Sequence, residues 1–224
     1  MVERKRVAIL ISGRGSNMGA LIRAAADPRY PAEPALVVSS NPAAPGLALA
    51  AEAGVATASV DATGFGQRDA FEEEIEKHLA EARVEIVCLA GFMRLLSGAF
   101  VGRWHDRILN IHPSILPAFQ GLHTHARAIE AGVKLHGCTV HFVRAAMDDG
   151  PIIAQAAVPV LPGDTPDALA ARVLAVEHRL YPWALALVAS ERTRVVDDRV
   201  VFADPPPQGP VEPLVSPPLT PPAP

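Results

Sequence analysis

Cysteine and aromatic residues are scarce in this chain of 224 residues, and basic residues do not outnumber acidic ones. The two cysteines, Cys88 and Cys138, lie inside apolar runs, which is typical of small buried core residues rather than of a disulfide or a metal site. Aromatic residues make up 5% of the chain, so the core must be mainly aliphatic. A net charge of −4 argues against a broad nucleic-acid surface.

Long hydrophobic runs are missing as well. The apolar run that follows residues 1–6 is too short for a signal-peptide core or a membrane span, so we expect a cytoplasmic protein without membrane contact. Half of the chain is hydrophobic, and we expect residues 1–203 to form one well-buried domain. Ten of the last twenty residues are proline, which predicts a disordered, partly polyproline tail over residues 204–224.

Strand-like apolar runs and helical patterns alternate through the first half of the chain. The runs cover residues 6–11, 34–39, a short stretch ending near 60, 84–90 and 108–112. The helical patterns cover residues 18–26, 47–53, 67–82 and a short segment capped by Ser97. In the pattern at 67–82, Phe71, Ile75 and Leu79 recur every four residues and predict a buried stripe. The alternation predicts a single-domain, doubly wound (Rossmann-like) α/β fold with a mostly parallel sheet.

The C-terminal half departs from this parallel pattern. Residues 138–143 and 152–160 form two further strand-like runs, and the turn between them favours antiparallel pairing. Thr124 is the expected N-cap of a short helix that Gly132 ends. Thr165 and Pro166 mark the start of the last helix, which Pro182 should kink or end.

A glycine-containing loop, Ser12-Gly13-Arg14-Gly15-Ser16-Asn17, separates the first strand from the first helix. Backbone amides at such a helix N-terminus can approach an anion closely, and Ser16 and Asn17 can add side-chain hydrogen bonds. The natural ligand is a phosphate. Met18 stands where a dinucleotide fingerprint needs glycine, and the Gly-Lys-Ser/Thr of a P-loop is absent. A plain glycine turn therefore remains an alternative.

Polar side chains at the end of the run 108–112 indicate an active site. Asn110 and His112 are two residues apart on a strand and should point to the same face. Pro113 prevents a central strand from continuing, so both lie at a carboxyl end, where open parallel sheets bind ligands. Asp148 can join them from the turn after the next strand.

Three other features leave alternatives open. The loop Gly91-Phe92-Met93-Arg94-Leu95-Leu96 is apolar enough to line a pocket, although composition alone favours core filling. Arg68 is either a surface residue or a clamp for an anionic ligand. Four histidines raise the question of a metal, but no cysteine or carboxylate falls at ligand spacing nearby; they are His112, His123, His125 and His141.

Taken together, these motifs make the chain resemble the phosphoribosylglycinamide formyltransferases, folate-dependent enzymes of purine synthesis. The resemblance covers residues 6–190 and is carried, in the family's order, by Leu89-Ala90-Gly91-Phe92-Met93-Arg94, Asn110-Ile111-His112-Pro113-Ser114, Gly121-Leu122-His123-Thr124-His125 and Glu177-His178. It implies transfer of the formyl group of 10-formyltetrahydrofolate to the amine of glycinamide ribonucleotide, without a covalent enzyme intermediate or a metal.

The resemblance also implies a role for each candidate residue. Asn110 would donate to the oxyanion, a protonated His112 would stabilise the same charge and act as general acid, and Asp148 would favour the imidazolium and relay protons through a water. The ribonucleotide would be bound by Gly15, Ser16, Asn17 and Glu177. The folate would be bound by Arg68, Met93, Arg94, Leu95, Leu96, Asn110, Ala146, Met147 and Asp148.

Related activities remain as alternatives. Methionyl-tRNA formyltransferase would need a tRNA-binding domain and a basic surface, and formyltetrahydrofolate hydrolase commonly has a regulatory domain before the first strand. A non-catalytic nucleotide sensor would have no use for Asn110, His112 and Asp148 together. Asp149 stands where the family usually has a small residue, and the Pro-rich tail lies outside the family pattern. We expect two small-molecule substrates as partners, no nucleic acid, and a monomer or homodimer.

Overall fold

The computed structural model describes residues 4–204 and 214–216, so most of the predicted Pro-rich tail lies outside the described residues. The strands are β1 (Lys5–Ile11), β2 (Ala32–Ser39), β3 (Thr57–Ser59), β4 (Ile86–Leu89), β5 (Ile108–His112), β6 (Leu135–Phe142), β7 (Ile152–Pro159), β8 (Thr193–Val196) and β9 (Arg199–Phe202). The helices are α1 (Ser16–Ala25), α2 (Pro45–Glu52), α3 (Arg68–Glu81), α4 (Gly98–Arg103), α5 (Thr124–Glu130) and α6 (Pro166–Ala189). None of the helices in these described ranges has the length and apolar character needed to cross a membrane.

Seven strands form one sheet in the order β3-β2-β1-β4-β5-β6-β7. The pairs from β3 to β5 are parallel, whereas β6 is antiparallel to both β5 and β7. This confirms the predicted doubly wound sheet with an antiparallel C-terminal part. The chain runs outward from β1 to β3 and then returns to β4 on the other side of β1. Such a reversal opens a crevice at the carboxyl ends of the parallel strands, where ligands bind.

Helices cover both faces of the sheet, and this explains why β1 is a continuous apolar run. Residues 7–11 are at most 1% exposed, as a central parallel strand requires. On one face α1 and α6 contribute Met18, Leu21, Tyr181 and Leu185, and on the other α3 and α4 contribute Phe71, Ile75, Leu79 and Phe100. The predicted stripe of α3 is therefore confirmed. Each large side chain buried in this way contributes about 1.5–3 kcal/mol to the stability.

The ends of two helices differ from the sequence-based predictions. The N-cap of α5 is His123, with φ 58°, and not Thr124, whose Oγ1 donates to the carbonyl of Pro113 at 2.8 Å. Pro182 does not end α6, which continues to Ala189. The neighbouring Tyr181 and Leu185 are buried against the sheet, and this packing outweighs the backbone hydrogen bond lost at proline.

The hairpin β8–β9 was not predicted from the sequence. Its turn consists of Asp197 and Asp198, both with a left-handed backbone at φ 49° and 56°. Two successive left-handed residues twist the chain in the direction that a two-residue hairpin loop requires. Such loops are commonly encoded by Asn-Gly or Asp-Gly. Because Asp-Asp lacks that glycine, the turn signal is weak in the sequence.

Candidate active site

Strand β5 carries Asn110 and His112 at the carboxyl edge of the parallel strands. Asn110 pairs with Leu89, the last residue of β4, and on the other side with His141 of β6. The loop after β4 therefore leaves the sheet beside Asn110. His112 is the last residue of its strand, as the following proline predicts.

His112 and Asp148 face each other in a nearly closed environment. His112 Nδ1 lies 3.4 Å from Asp148 Oδ1, and the two side chains are 8% and 11% exposed. On the other side of the ring, Nε2 lies 3.1 Å from the carbonyl oxygen of Phe119. A carbonyl can only accept, so Nε2 carries a proton. The other ring nitrogen, Nδ1, faces the carboxylate of Asp148.

Asp148 is held in place by its backbone as well as by its carboxylate. Its φ is 55°, and its Oδ2 accepts a hydrogen bond from the amide of Gly121 at 2.9 Å. A Cβ at Gly150 would lie 1.7 Å from the carbonyl oxygen of Phe142, so only glycine fits there. The adjacent Asp149 is exposed. The structure therefore places Asp148, rather than Asp149, against His112.

Three residues near His112 and Asp148 have a left-handed backbone. Phe119, His123 and Asp148 have φ values of 56°, 58° and 55°. Such conformations cost about 1–3 kcal/mol each in a non-glycine residue and are frequent at functional sites. At Phe119 the strain aims the carbonyl at His112, and at Asp148 it aims the carboxylate at the same ring.

His141 fixes the orientation of the Asn110 amide, a contact that the sequence did not predict. Its Nδ1 lies 2.9 Å from the carbonyl oxygen of Phe142 and must donate to it, so Nε2 of the neutral ring accepts from Asn110 Nδ2 at 3.2 Å. Burial lowers the pKa of His141, and this keeps the ring neutral. One N–H of Asn110 is thus committed and the other is available to a ligand. The contact could have been found from the antiparallel pairing of β5 with β6, which places His141 directly opposite Asn110.

The four histidines considered as metal ligands do not converge. His112 and His141 are engaged with separate partners, and His125 packs edge-on against His136 with ring centroids 5.3 Å apart. Burial lowers the pKa of His125, and it lowers the pKa of His136 to about 4. Within residues 4–204 and 214–216, no group of three or more His, Cys, Asp or Glu side chains is arranged to hold a metal ion.

The glycine loop leads into the N-terminus of α1. Gly15, with φ 71°, is the N-cap of α1, and a Cβ there would lie 3.0 Å from Met18 Cε and 3.4 Å from Gly46 Cα. The left-handed backbone favours glycine, and a Cβ would also force the end of the Met18 side chain to move. The first-turn amides of Ser16 and Asn17 have no acceptor within the helix and can bind a phosphate.

Asn17 and Glu177, which are far apart in the sequence, meet beside this loop. Asn17 Nδ2 donates to Glu177 Oε2 at 2.7 Å, and Glu177 is only 6% exposed. Burial raises the pKa of Glu177, and the hydrogen bond from Asn17 opposes that rise. The side-chain donor of Asn17 is thus engaged with Glu177, in contrast to the expectation that it would face a phosphate. Its backbone amide remains suited to that role.

The loops expected to bind a folate carry exposed apolar side chains. Met93, Leu95 and Met147 are 70%, 66% and 55% exposed, so their side chains are accessible to a ligand. The prediction that this loop fills the core is therefore wrong for Met93, although Phe92 and Leu96 do pack against the core. Arg68, Arg94 and Ala146 are also exposed, and Arg68 is the first residue of α3.

Comparison with known proteins places the chain among formyl transferases. The formyl transferase family model matches residues 5–185. Phosphoribosylglycinamide formyltransferase of Escherichia coli (strain K12) is 43% identical over 189 residues, which cover 84% of this chain and 89% of that protein. The crystal structure of phosphoribosylglycinamide formyltransferase from Brucella melitensis is 57% identical, with a TM-score of 0.81, and the match covers 84% of this chain and 97% of that one.

Longer relatives contain a similar segment. The trifunctional purine biosynthetic protein adenosine-3 of Gallus gallus is 50% identical over 193 residues, which cover 86% of this chain. The chain spans only 19% of the length of that protein. The similarity therefore concerns one part of the trifunctional protein.

Proposed function

The chain belongs to the formyl transferase family, and we propose that it transfers the formyl group of 10-formyltetrahydrofolate to the amine of glycinamide ribonucleotide. The observation that carries this proposal is the contact between His112 and Asp148 at the carboxyl end of β5, the strand that also carries Asn110 two residues before His112. An amide donor, an imidazole and a carboxylate at one edge of the sheet supply what acyl transfer between two nitrogens requires.

The chemistry balances without a covalent enzyme intermediate. The amine nitrogen of the ribonucleotide attacks the formyl carbon, and the carbonyl oxygen becomes an oxyanion. The second N–H of Asn110 would donate to this oxyanion, and the positive charge of a protonated His112 would stabilise it without a direct hydrogen bond, because both ring nitrogens face other partners. The attacking nitrogen then loses one proton, and the departing folate nitrogen gains one as its bond to carbon breaks. Asp148 beside His112 supports that proton transfer through a water.

We assign the two substrates to different loops. The amides of Ser16 and Asn17 after Gly15 would bind the phosphate, and Glu177 would accept from the ribose hydroxyls. The exposed apolar loops would hold the flat pterin ring between apolar side chains and backbone groups. The folate-binding residues of this proposal are Arg68, Met93, Arg94, Leu95, Leu96, Asn110, Ala146, Met147 and Asp148.

The glycine loop gives a prediction that separates the two substrates. Gly15→Ala should raise the KM for the ribonucleotide by about tenfold or more and leave the folate KM nearly unchanged, because only one substrate places a phosphate there. The matched control is Gly13→Ala, since a Cβ at Gly13 meets nothing within 4 Å. Steady-state kinetics with each substrate varied in turn measures both constants. Equal increases in the two KM values would contradict the assignment of the loop.

A second prediction concerns metals. We expect full activity after exhaustive chelation, since His112 and His141 are engaged with Asp148 and Asn110 rather than with each other. The measurement is the rate of formyl transfer before and after treatment with EDTA and with a zinc-selective chelator. Loss of activity that added zinc restores would show that the metal-free proposal is wrong.

Hydrolysis of the formyl-folate is the alternative reaction, because water could replace the amine at the same three residues. The anion site at Gly15 favours transfer, since a hydrolase needs no phosphate site. The test is to follow deformylation of 10-formyltetrahydrofolate with and without glycinamide ribonucleotide. Strict dependence on the ribonucleotide supports transfer, and deformylation at the same rate without it supports hydrolysis.

A further inference from the structure

Arg144 lies two residues after β6, at the base of the loop formed by residues 143–150. Its Nη2 donates to Asp106 Oδ1 at 2.7 Å, and its Nε donates to Asp198 Oδ1 at 2.8 Å. The Arg144 side chain is only 15% exposed. Asp106 belongs to the turn before β5, and Asp198 to the turn of the β8–β9 hairpin. One guanidinium thus joins three parts of the chain.

The loop 143–150 has little freedom at either end. Val143 N donates to Ile108 O and Phe142 N donates to Pro151 O, both at 2.9 Å, and these bonds close the base. Gly150 has no room for a side chain beside Phe142. From this closed base the chain must reach Asp148, only four residues beyond Arg144. The direction in which residue 144 leaves β6 therefore determines where the Asp148 carboxylate lies.

We propose that Arg144 is a positioning residue for Asp148 and that the C-terminal hairpin, through Asp198, takes part in holding the active-site loop. This inference rests on the proposed function, because it assigns Asp148 to the proton transfer. Arginine suits the role since its planar guanidinium presents several donors in fixed directions and can bridge two carboxylates. Lysine keeps the positive charge, but its ammonium group is a single point charge that cannot bridge the two carboxylates in the same fixed directions.

The two carboxylates should contribute unequally. Asp106 is 36% exposed and Asp198 is 64% exposed, so solvent screens the hairpin contact more strongly. Removing the guanidinium breaks both contacts at once. We therefore expect Arg144→Met to have a larger effect than Asp198→Asn, with Arg144→Lys between wild type and Arg144→Met.

A double-mutant cycle tests whether Arg144 acts through Asp148. Arg144→Met should lower kcat by about tenfold and leave the ribonucleotide KM unchanged, because a displaced catalytic group lowers the rate of the chemical step. In an Asp148→Asn background the same substitution should have no further effect on kcat. An equal fold loss in both backgrounds would overturn the proposal, since Arg144 would then act independently of Asp148.

The hairpin offers a matched control in adjacent residues. Asp197 and Asp198 are both exposed turn residues, but only Asp198 contacts Arg144. Asp198→Asn should lower kcat by about threefold, less than loss of the guanidinium, because one of the two contacts survives. Asp197→Asn should match wild type. If the two variants behave alike, the hairpin has no role in positioning the loop.

A measurement that does not depend on enzyme activity distinguishes failure of this inference from failure of the proposed function. Amide hydrogen exchange over residues 143–150 should accelerate in Arg144→Met and Asp198→Asn but not in Asp197→Asn. If the wild-type protein transfers no formyl group, the proposed function fails while the exchange result still reports on the anchoring of the loop. Unchanged exchange in Arg144→Met would overturn the anchoring itself.

Discussion

Asp148→Asn is expected to lower kcat by about two orders of magnitude or more, consistent with loss of a general acid–base partner. The asparagine keeps the shape of the side chain and can still accept from the amide of Gly121, so the fold should persist. It cannot, however, provide a negative charge 3.4 Å from His112 Nδ1. The measurement is kcat as a function of pH, and the acidic limb of the profile should change in the variant.

The neighbouring carboxylate supplies the control for this prediction. Asp149→Gly should be nearly silent in kcat and in melting temperature, because Asp149 is exposed and makes no side-chain hydrogen bond or salt bridge within the described residues. Both variants carry one negative charge fewer than wild type, so a general electrostatic effect would appear in both. A large loss of kcat in Asp149→Gly together with a near-wild-type kcat in Asp148→Asn would show that Asp149, and not Asp148, is the functional carboxylate. The proposed proton path would then be wrong.

Asn110→Ala is expected to lower kcat by about 10²–10³-fold, the usual effect of removing one oxyanion donor, with small changes in both KM values. The variant also leaves Nε2 of His141 without its donor, so part of the loss could come from rearrangement of that ring. Asn110→Asp is the matched variant, since it keeps the size of the side chain but replaces the N–H donor with an oxygen. It should be at least as inactive as the alanine variant.

Two outcomes would count against this role of Asn110. A kcat close to that of wild type in Asn110→Ala would show that no hydrogen bond from this amide stabilises the transition state. A large rise in KM at unchanged kcat would show that Asn110 binds a substrate equally in the ground state and the transition state. Circular dichroism and the melting temperature of each variant distinguish these outcomes from unfolding.

The sheet and the central pair of polar residues follow from local patterns. Continuous apolar runs predict buried parallel strands, and the alternation of a strand places Asn110 and His112 on one face. Pro113 predicts the end of the strand at His112. These inferences depend on only a few neighbouring residues, so they can be made from the sequence. The positions of helix ends depend on tertiary contacts, and their predictions are therefore less accurate.

The remaining contacts of the site depend on residues that only the fold brings together. The bond from Asn17 to Glu177 joins α1 to α6, and no local pattern encodes it. The partner of Asn110 depends on the register of β6, because a shift of one residue would turn His141 to the other face. Arg144 and Asp198 meet because a hairpin that the sequence signals weakly folds against the loop after β6.

Backbone groups form a second class that sequence reasoning misses. The carbonyl of Phe119 and the amide of Gly121 hold His112 and Asp148, and any residue type carries such groups. Their directions depend on φ values, including the left-handed backbone of Phe119, that a sequence without a glycine there does not reveal. The position of Asp148 beside His112 was thus predictable, whereas the backbone groups that orient the two side chains were not.

The most direct test of the account is the product stoichiometry in a reaction that contains both 10-formyltetrahydrofolate and glycinamide ribonucleotide. Mass spectrometry of the formylated ribonucleotide, with parallel measurement of tetrahydrofolate and formate, gives the fate of each formyl group. The account predicts one formylated ribonucleotide for each tetrahydrofolate released, with negligible formate. Release of tetrahydrofolate with an equal amount of formate, and no formylated ribonucleotide, would contradict it.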